Sequence, residues 1–194
     1  ISEEAKKEMD SMMYTVQDPE GRSFNNLYQY IVEDDITELR NENKFATFFE
    51  PFKELTNKEI LRYKKETENA ETELNNYLKN NNYNPIQTQS GLYYLQTKSG
   101  NNEKPQVGAK ASVHYTGKLL GGSVFDSSKS RNEPLQFILG VGQVIPGWDE
   151  GIQLMSKGEE GILFIPYYLA YGDRGAGTIP PFATLIFEVE LIDF

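Results

Sequence analysis

The spacing of apolar residues changes from a helical to an alternating period near residue 86, and that change divides the chain. Ahead of it, Ala5, Met9, Met12 and Met13 fall at i, i+4, i+7, i+8, which predicts a short helix. After a turn signal at Asp18-Pro19-Glu20-Gly21, the pattern repeats through Phe24, Leu27, Tyr28, Ile31 and Val32, and again through Phe45, Phe48, Phe49 and Phe52. A long helix over 56–80 follows. Thr56-Asn57-Lys58-Glu59 is a capping box, Leu55 and Ile60 stand at the places of a hydrophobic staple, and Asn80-Asn81-Asn82 with Pro85 stop it. At 1.5 Å per residue such a helix is roughly 35–40 Å long. From Lys64 to Glu73 it is polar on every side except Ala70, which predicts a rigid spacer crossing solvent. An apolar face returns at Ala70, Leu74, Tyr77 and Leu78.

Beyond residue 86 the pattern predicts strands over 92–97, 111–119, 135–139, 161–165 and 184–192, punctuated by glycines. One short helix interrupts them. It follows Val144-Ile145-Pro146-Gly147-Trp148, runs over 149–157, and sets Trp148, Ile152 and Met155 on one face before Gly158 caps it. Strands separated by turns of this length form an antiparallel sheet, with that helix as its only large cover. The expected class is therefore α+β: an all-helical region at 1–85 that includes the linking helix, then a complete small sheet domain at 86–194.

Composition narrows the functions. Hydrophobic residues make up 38% and charged residues 25% of 194, as in globular proteins generally. The net charge is −10 and unevenly spread: residues 1–88 hold 11 basic and 18 acidic residues, and residues 89–194 hold 8 and 11. An acidic chain with one histidine and no basic stripe is unsuited to nucleic acid. The absence of cysteine excludes disulfides, thiolate metal sites and cysteine nucleophiles. No apolar run approaches the ~20 residues of a membrane span. Glu66, Glu68, Glu71 and Glu73 read as a solvated helix face rather than a metal cluster. The Met- and aromatic-rich N-terminal faces allow two readings, an internal helical core or a dimerisation face or groove for unfolded chains.

Aromatics crowd the second half: Tyr115, Phe125, Phe137, Trp148, Tyr167, Tyr168, Tyr171, Phe182 and Phe187. One sheet and one short helix have limited room for so many rings, so some are expected to line an apolar pocket. Asp126 and Arg131 beside Phe125 are either part of that site or a loop salt bridge, and spacing alone leaves both open. His114 has no Ser, Cys or Asp at a motif spacing and reads as a satisfied strand histidine. Gly140-Val141-Gly142 lacks the context of a dinucleotide loop, and no lysine and hydroxyl follow Gly172 to Gly177 as a phosphate loop requires. Hydrolysis, hydride transfer and phosphoryl transfer have no visible machinery.

Val113-His114-Tyr115-Thr116-Gly117, Phe125-Asp126-Ser127-Ser128, Val144-Ile145-Pro146-Gly147-Trp148, Ala170-Tyr171-Gly172 and Ile179-Pro180-Pro181 with Phe187 stand in that order. Together they resemble the FKBP-type peptidyl-prolyl cis/trans isomerases over about residues 86–194. The N-terminal half is loosely similar to the dimerisation region and linking helix of two-domain bacterial members, the macrophage infectivity potentiator type. The resemblance implies a twisted antiparallel sheet wrapped around a short helix. It implies Trp148 as pocket floor, with Tyr115, Phe125, Phe137, Val144, Ile145 and Phe187 as walls and Leu135 and Ile179 in the substrate-binding set. Asp126 and Tyr171 would lie beside the reacting amide, Arg131 would hold Asp126, and the Ile145 N–H would receive a substrate carbonyl. Residues 171–179 would form a flap. Leu135 stands where many members carry an aromatic, and Ala176 and Thr178 where a histidine and an aliphatic are common, which bears on macrolide affinity and residue preference.

The activity so implied is isomerisation of Xaa-Pro bonds in folding proteins, without cofactor or metal. The alternative is a chaperone or adaptor that grips Xaa-Pro segments with little turnover. Expected partners are proline-containing polypeptides, macrolide inhibitors, and a second copy through the N-terminal helices. Two-domain members of this type are mostly exported, and a start at Ile1 fits a removed signal or anchor segment, so the periplasm or envelope is expected, with the cytoplasm as the alternative.

Overall fold

The computed structural model of the chain describes residues 16–17, 23–24 and 57–194. The helical patterns at 5–13, 27–32 and 45–52, with Leu55 and the Thr56 cap, lie outside them. Strands β1 (Val16–Gln17) and β2 (Ser23–Phe24) pair antiparallel on either side of the Asp18–Gly21 turn signal. Phe24 thus stands in a strand rather than at the head of the second helical pattern.

Helix α1 (Asn57–Asn80) ends where the asparagines predict. Asn82 adopts φ +54°, Asn82 N–H donates to Lys79 O at 3.2 Å, and Tyr83 N–H donates to Leu78 O at 2.9 Å. Those two bonds are a Schellman closure, and the Tyr83 ring lies 6.3 Å from that of Tyr77, the hydrophobic contact that accompanies such a stop. The second of two compact units runs from Ala70 to Phe194, so the last turns of α1 belong with the sheet.

The sheet orders its strands β3 (Ile86–Gln87), β4 (Tyr93–Lys98), β8 (Glu160–Ile165), β9 (Leu185–Asp193), β5 (Lys110–Leu119) and β6 (Val124–Ser127), and β7 (Leu135–Ile138) pairs with the other end of β5. Every pairing is antiparallel. Strands β3 and β6 have no counterpart in the alternation of the sequence, because β3 has only two residues and Val124-Phe125-Asp126-Ser127 of β6 does not alternate. Strand β5 buries Ala111, Val113, Tyr115 and Gly117 in strict alternation. In β8 every residue after Glu160 is buried. Leu163 and Ile165 face one core, while Ile162 and Phe164 face another.

That second core corrects the expectation of a single covering helix. Helix α3 (Pro146–Leu154) covers one face, and Leu74 and Leu78 of α1 cover the other, against Ile162, Phe164 and Ile186. Helix α3 also begins and ends three residues before the expected 149–157 run: Pro146 takes the first helical position and Met155 is an extended C-cap. Met155 is still fully buried, beyond the helix rather than on it. Gly147 and Gly151 let α3 approach β8 closely. A Cβ at Gly147 would lie 2.4 Å from Ile165 Cγ2, and one at Gly151 2.6 Å from Leu163 Cδ2.

Candidate active site

The aromatic cluster is built where β5, β6, β7 and β9 meet the N-terminal turn of α3. Trp148 projects from α3 and is 3% exposed. The Tyr115 ring stands edge-on to it at 5.0 Å and 87°, Phe187 at 5.2 Å and 86°, and Phe137 tilts against it at 5.9 Å. Phe125 in turn meets Phe187 edge-on at 5.5 Å. Such edge-to-face pairs set the positive edge of one ring against the negative face of another. Gly117 makes room for them. It lies opposite Phe187 in the ladder, and a Cβ there would come within 2.7 Å of the Phe125 ring and 2.8 Å of the Phe187 ring.

Tyr115, Phe137, Trp148, Ile179 and Phe187 are buried, while Phe125, Val144 and Ile145 are only partly covered against the same cluster. Leu135 alternates with Phe137 on β7, sharing its face, but is exposed and stands outside the cluster. The rings therefore form a deep apolar base, and the partly covered Phe125, Val144 and Ile145 are what solvent reaches. Trp148 Nε1 is buried without an oxygen or nitrogen acceptor among the described residues.

Polar groups lie beside this base. Strand β6 is register-shifted against β5 between Gly117 and Lys118, and it carries Asp126. Tyr115 donates its hydroxyl to Asp126 Oδ2, Arg131 Nη1 donates to Oδ1 at 2.5 Å, and Ser127 N–H donates to Oδ1 at 2.8 Å. Arg131 Nη2 also donates to the Tyr115 hydroxyl at 3.0 Å, closing a triad. Burial pushes the Asp126 carboxyl up, but the bonds from Arg131 and Tyr115, the arginine charge and the Ser127 amide outweigh it and hold it below its ordinary 3.8. Burial first, then the bond to Asp126, pushes the Tyr115 hydroxyl above 10.0. The Tyr171 hydroxyl is pushed up by burial and then by the Asp126 charge, yet Tyr171 is 41% exposed and its hydroxyl has no hydrogen-bond partner among the described residues. Of the two readings of Asp126 and Arg131, the triad makes them one group at the edge of the aromatic base.

Arg131 comes from α2 (Ser128–Arg131), which Ser128 pins to β5. The fully buried Ser128 hydroxyl accepts Tyr115 N–H at 2.8 Å and lies 2.9 Å from His114 Nδ1. His114 therefore does have a serine partner, invisible in spacing, and the pair is structural because that hydroxyl is sealed from solvent. The segment after Tyr171 closes in a tight turn through Ala176 and Ile179, whose N–H groups each donate to the other's carbonyl, at 3.0 and 2.8 Å. Ile145 accepts Trp148 N–H at 2.9 Å through its carbonyl, and its own N–H meets no acceptor among the described residues. No group of metal-ligating side chains suited to a metal ion occurs among the described residues, and no helix there is long and apolar enough to cross a membrane.

An antiparallel sheet with one short helix on one face and the end of a long helix on the other, carrying an aromatic base with a carboxylate triad at its edge, defines a small α+β domain with an apolar site. Comparison with known proteins identifies it. The family model of FKBP-type peptidyl-prolyl cis-trans isomerase matches residues 101–192. The chain is 54% identical over 105 residues to FK506-binding protein 1 of Dictyostelium discoideum, covering 54% of this chain and 98% of that protein. It is 51% identical over 107 residues to the FKBP-type 22 kDa peptidyl-prolyl cis-trans isomerase of Escherichia coli, covering 55% of this chain and 51% of that one. The crystal structure of AtFKBP13 superposes with a TM-score of 0.54 at 42% identity, over 57% of this chain and 98% of that one. The chain belongs to the FKBP-type peptidyl-prolyl cis-trans isomerase family, and its sheet domain is an isomerase of that type.

Proposed function

We propose that the isomerase acts on Xaa-Pro bonds of folding polypeptides at the Trp148 base. The proline ring sits over the indole, and Asp126, Tyr171 and the Ile145 N–H surround the rotating amide. The observation that carries this is that, among the described residues, neither the Ile145 N–H nor the Tyr171 hydroxyl has a hydrogen-bond partner, while Arg131 and Tyr115 fix Asp126 beside the apolar base.

Rotation about a peptide bond meets a barrier of ~18–20 kcal/mol because amide resonance is lost. At proline, cis and trans differ little in energy yet exchange in tens of seconds or longer. No bond is made or broken, so no nucleophile is needed, only tighter binding of the twisted amide than of the planar one. The Ile145 N–H holds one carbonyl while the aromatic base grips the ring. Asp126 and Tyr171 offset the charge that shifts as the amide nitrogen loses conjugation. A gain of ~10⁴ in rate requires about 5.4 kcal/mol, within the reach of ring burial and a few oriented dipoles.

Exchange of a proline tetrapeptide followed by NMR tests the site on the full chain. Asp126→Ala and Phe187→Ala are each expected to lower kcat/KM by roughly tenfold to a hundredfold, about 1.4 to 2.7 kcal/mol of transition-state stabilisation. Unchanged rates in folded variants would dismiss the assignment, and peptide binding without exchange in the parent chain would favour the chaperone or adaptor reading. The shifts of Asp126, Tyr115 and Tyr171 predict how the rate follows pH. The carboxyl takes up its proton only below its ordinary 3.8 and the tyrosines lose theirs only above their ordinary 10.0, so kcat/KM is expected flat between about pH 5 and about pH 9. An inflection inside that window would assign control to another group.

Several relatives carry the name FK506-binding protein, and the same base would take a ligand of that kind. The two-domain organisation and the pairing of two copies are read from the helical patterning of the first 85 residues, and export from the likeness to two-domain bacterial members of the family.

A further inference from the structure

The aromatic base is held by buried packing, but Val144 and Ile145 arrive on a connection that leaves the core after the buried Leu139 and is exposed over residues 140–143. Its glycines set its course. Gly140 and Gly142 adopt φ +76° and +74°, a region where other residues are strained, so their conformation leaves both N–H groups turned away from the strand ladder. Both find the same partner. The Asp149 carboxylate accepts Gly140 N–H through Oδ1 and Gly142 N–H through Oδ2, each at 2.8 Å. Two charge-assisted bonds to two different oxygens fix the orientation of the loop as well as its distance. Gln143 Oε1 accepts Ile138 N–H at 2.8 Å and ties the loop back to the end of β7. Asp149 follows Trp148 directly, and its own N–H donates to Ile145 O at 3.2 Å. The residue that clamps the loop is therefore one step along the helix from the residue that forms the base.

We propose that Asp149 is a positioning residue for isomerisation: by holding Gly140 and Gly142 N–H it fixes the loop that presents Val144, Ile145 and the Ile145 N–H to substrate. This rests on the reading that Ile145 N–H receives a substrate carbonyl. Asp149 makes no contact with substrate itself. An asparagine in its place keeps one acceptor oxygen and sets an NH₂ against the other glycine N–H, so one of the two bonds is lost with little change in shape. The loop then samples orientations in which the Ile145 N–H is misdirected. Because that N–H grips planar and twisted amides alike, the loss falls on substrate binding and not on the chemical step.

The test compares the full-length parent, Asp149→Asn and Asp149→Glu with the tetrapeptide Ala-Leu-Pro-Phe, at a temperature where all are folded by NMR. Kd comes from chemical-shift titration, kcat and KM from exchange. Asp149→Asn is expected to raise Kd and KM about tenfold with kcat within twofold of the parent, and Asp149→Glu, which keeps both oxygens, to recover part of the affinity. A lowered unfolding midpoint with Kd and KM unchanged would make Asp149 merely structural and overturn the proposal. So would a loss of kcat with KM unchanged. If the parent binds the peptide but does not speed its exchange, the isomerase site reading fails on its own, and the Kd comparison still decides the role of Asp149.

Discussion

Replacing Leu74 and Leu78 together by alanine is expected to destabilise the sheet domain by about 4 to 10 kcal/mol, taking about 2 to 5 for each buried leucine lost. The two residues are 3% and 7% exposed and lie one helical turn apart on the last turns of α1. They close the face of the sheet formed by Ile162, Phe164 and Ile186, with the Tyr77 and Tyr83 rings 6.2 and 5.6 Å from that of Phe164. Because both leucines share the same neighbours, the double loss will fall short of or exceed the sum of the singles. Urea unfolding of the full chain, read from the single tryptophan, measures it. A loss below about 1 kcal/mol would mean that α1 does not seal this face. The consequence reaches practice: a fragment cut at residue 86 would expose Phe164, which is fully buried in the intact chain.

Replacing Glu159 by alanine is expected to cost about 3 kcal/mol or more at neutral pH, in the range for removing one partner of a buried polar network. Glu159 is 3% exposed in the turn entering β8. Its carboxylate accepts the Tyr94 hydroxyl, Ser156 N–H at 2.9 Å and the Ser156 hydroxyl at 2.6 Å. Burial pushes this carboxyl up, but the Ser156 and Tyr94 hydroxyls, the Ser156 amide and the Gln96 side chain together hold it below its ordinary 4.5. The Tyr94 hydroxyl is pushed far up by burial and by that bond. The folded value lies below the unfolded one, so the stabilisation is complete above 4.5 and fades as pH falls through the folded value. Urea midpoints of parent and Glu159→Ala across the acid range should therefore converge as pH is lowered. A difference constant with pH would show that the lost packing, and not the charge, carries the effect.

Much of the site can be read along the chain because its motifs are local. Phe125 and Asp126 are neighbours on one short strand, and Trp148 with Ile152 keeps helical spacing, so one segment suffices to place each. The triad is the limit of that reading. Asp126 and Arg131 are five residues apart, which spacing leaves as a site or a surface pair, and only the Tyr115 hydroxyl from another strand makes them a unit. Asp149 looked like any acidic residue in a first helical turn. Its two glycine partners become visible only when the 139–145 loop folds back over the helix. Ser128 reached His114 in the same way, across two elements.

The sequence by itself determined the antiparallel domain, the short helix under it, the stop of the long helix at its asparagines and the family motifs, because each depends on period, turn chemistry or residues close along the chain. The tertiary structure decided what comes from different segments meeting. It placed Leu74 and Leu78 on the far face of the sheet, let Gly117 admit two rings, and turned Asp149 onto the loop beside Trp148. The physical reason is one of range. Backbone preference acts over a few residues, whereas burial and the pairing of buried polar groups are settled by whichever neighbour the fold brings within about 3 to 4 Å.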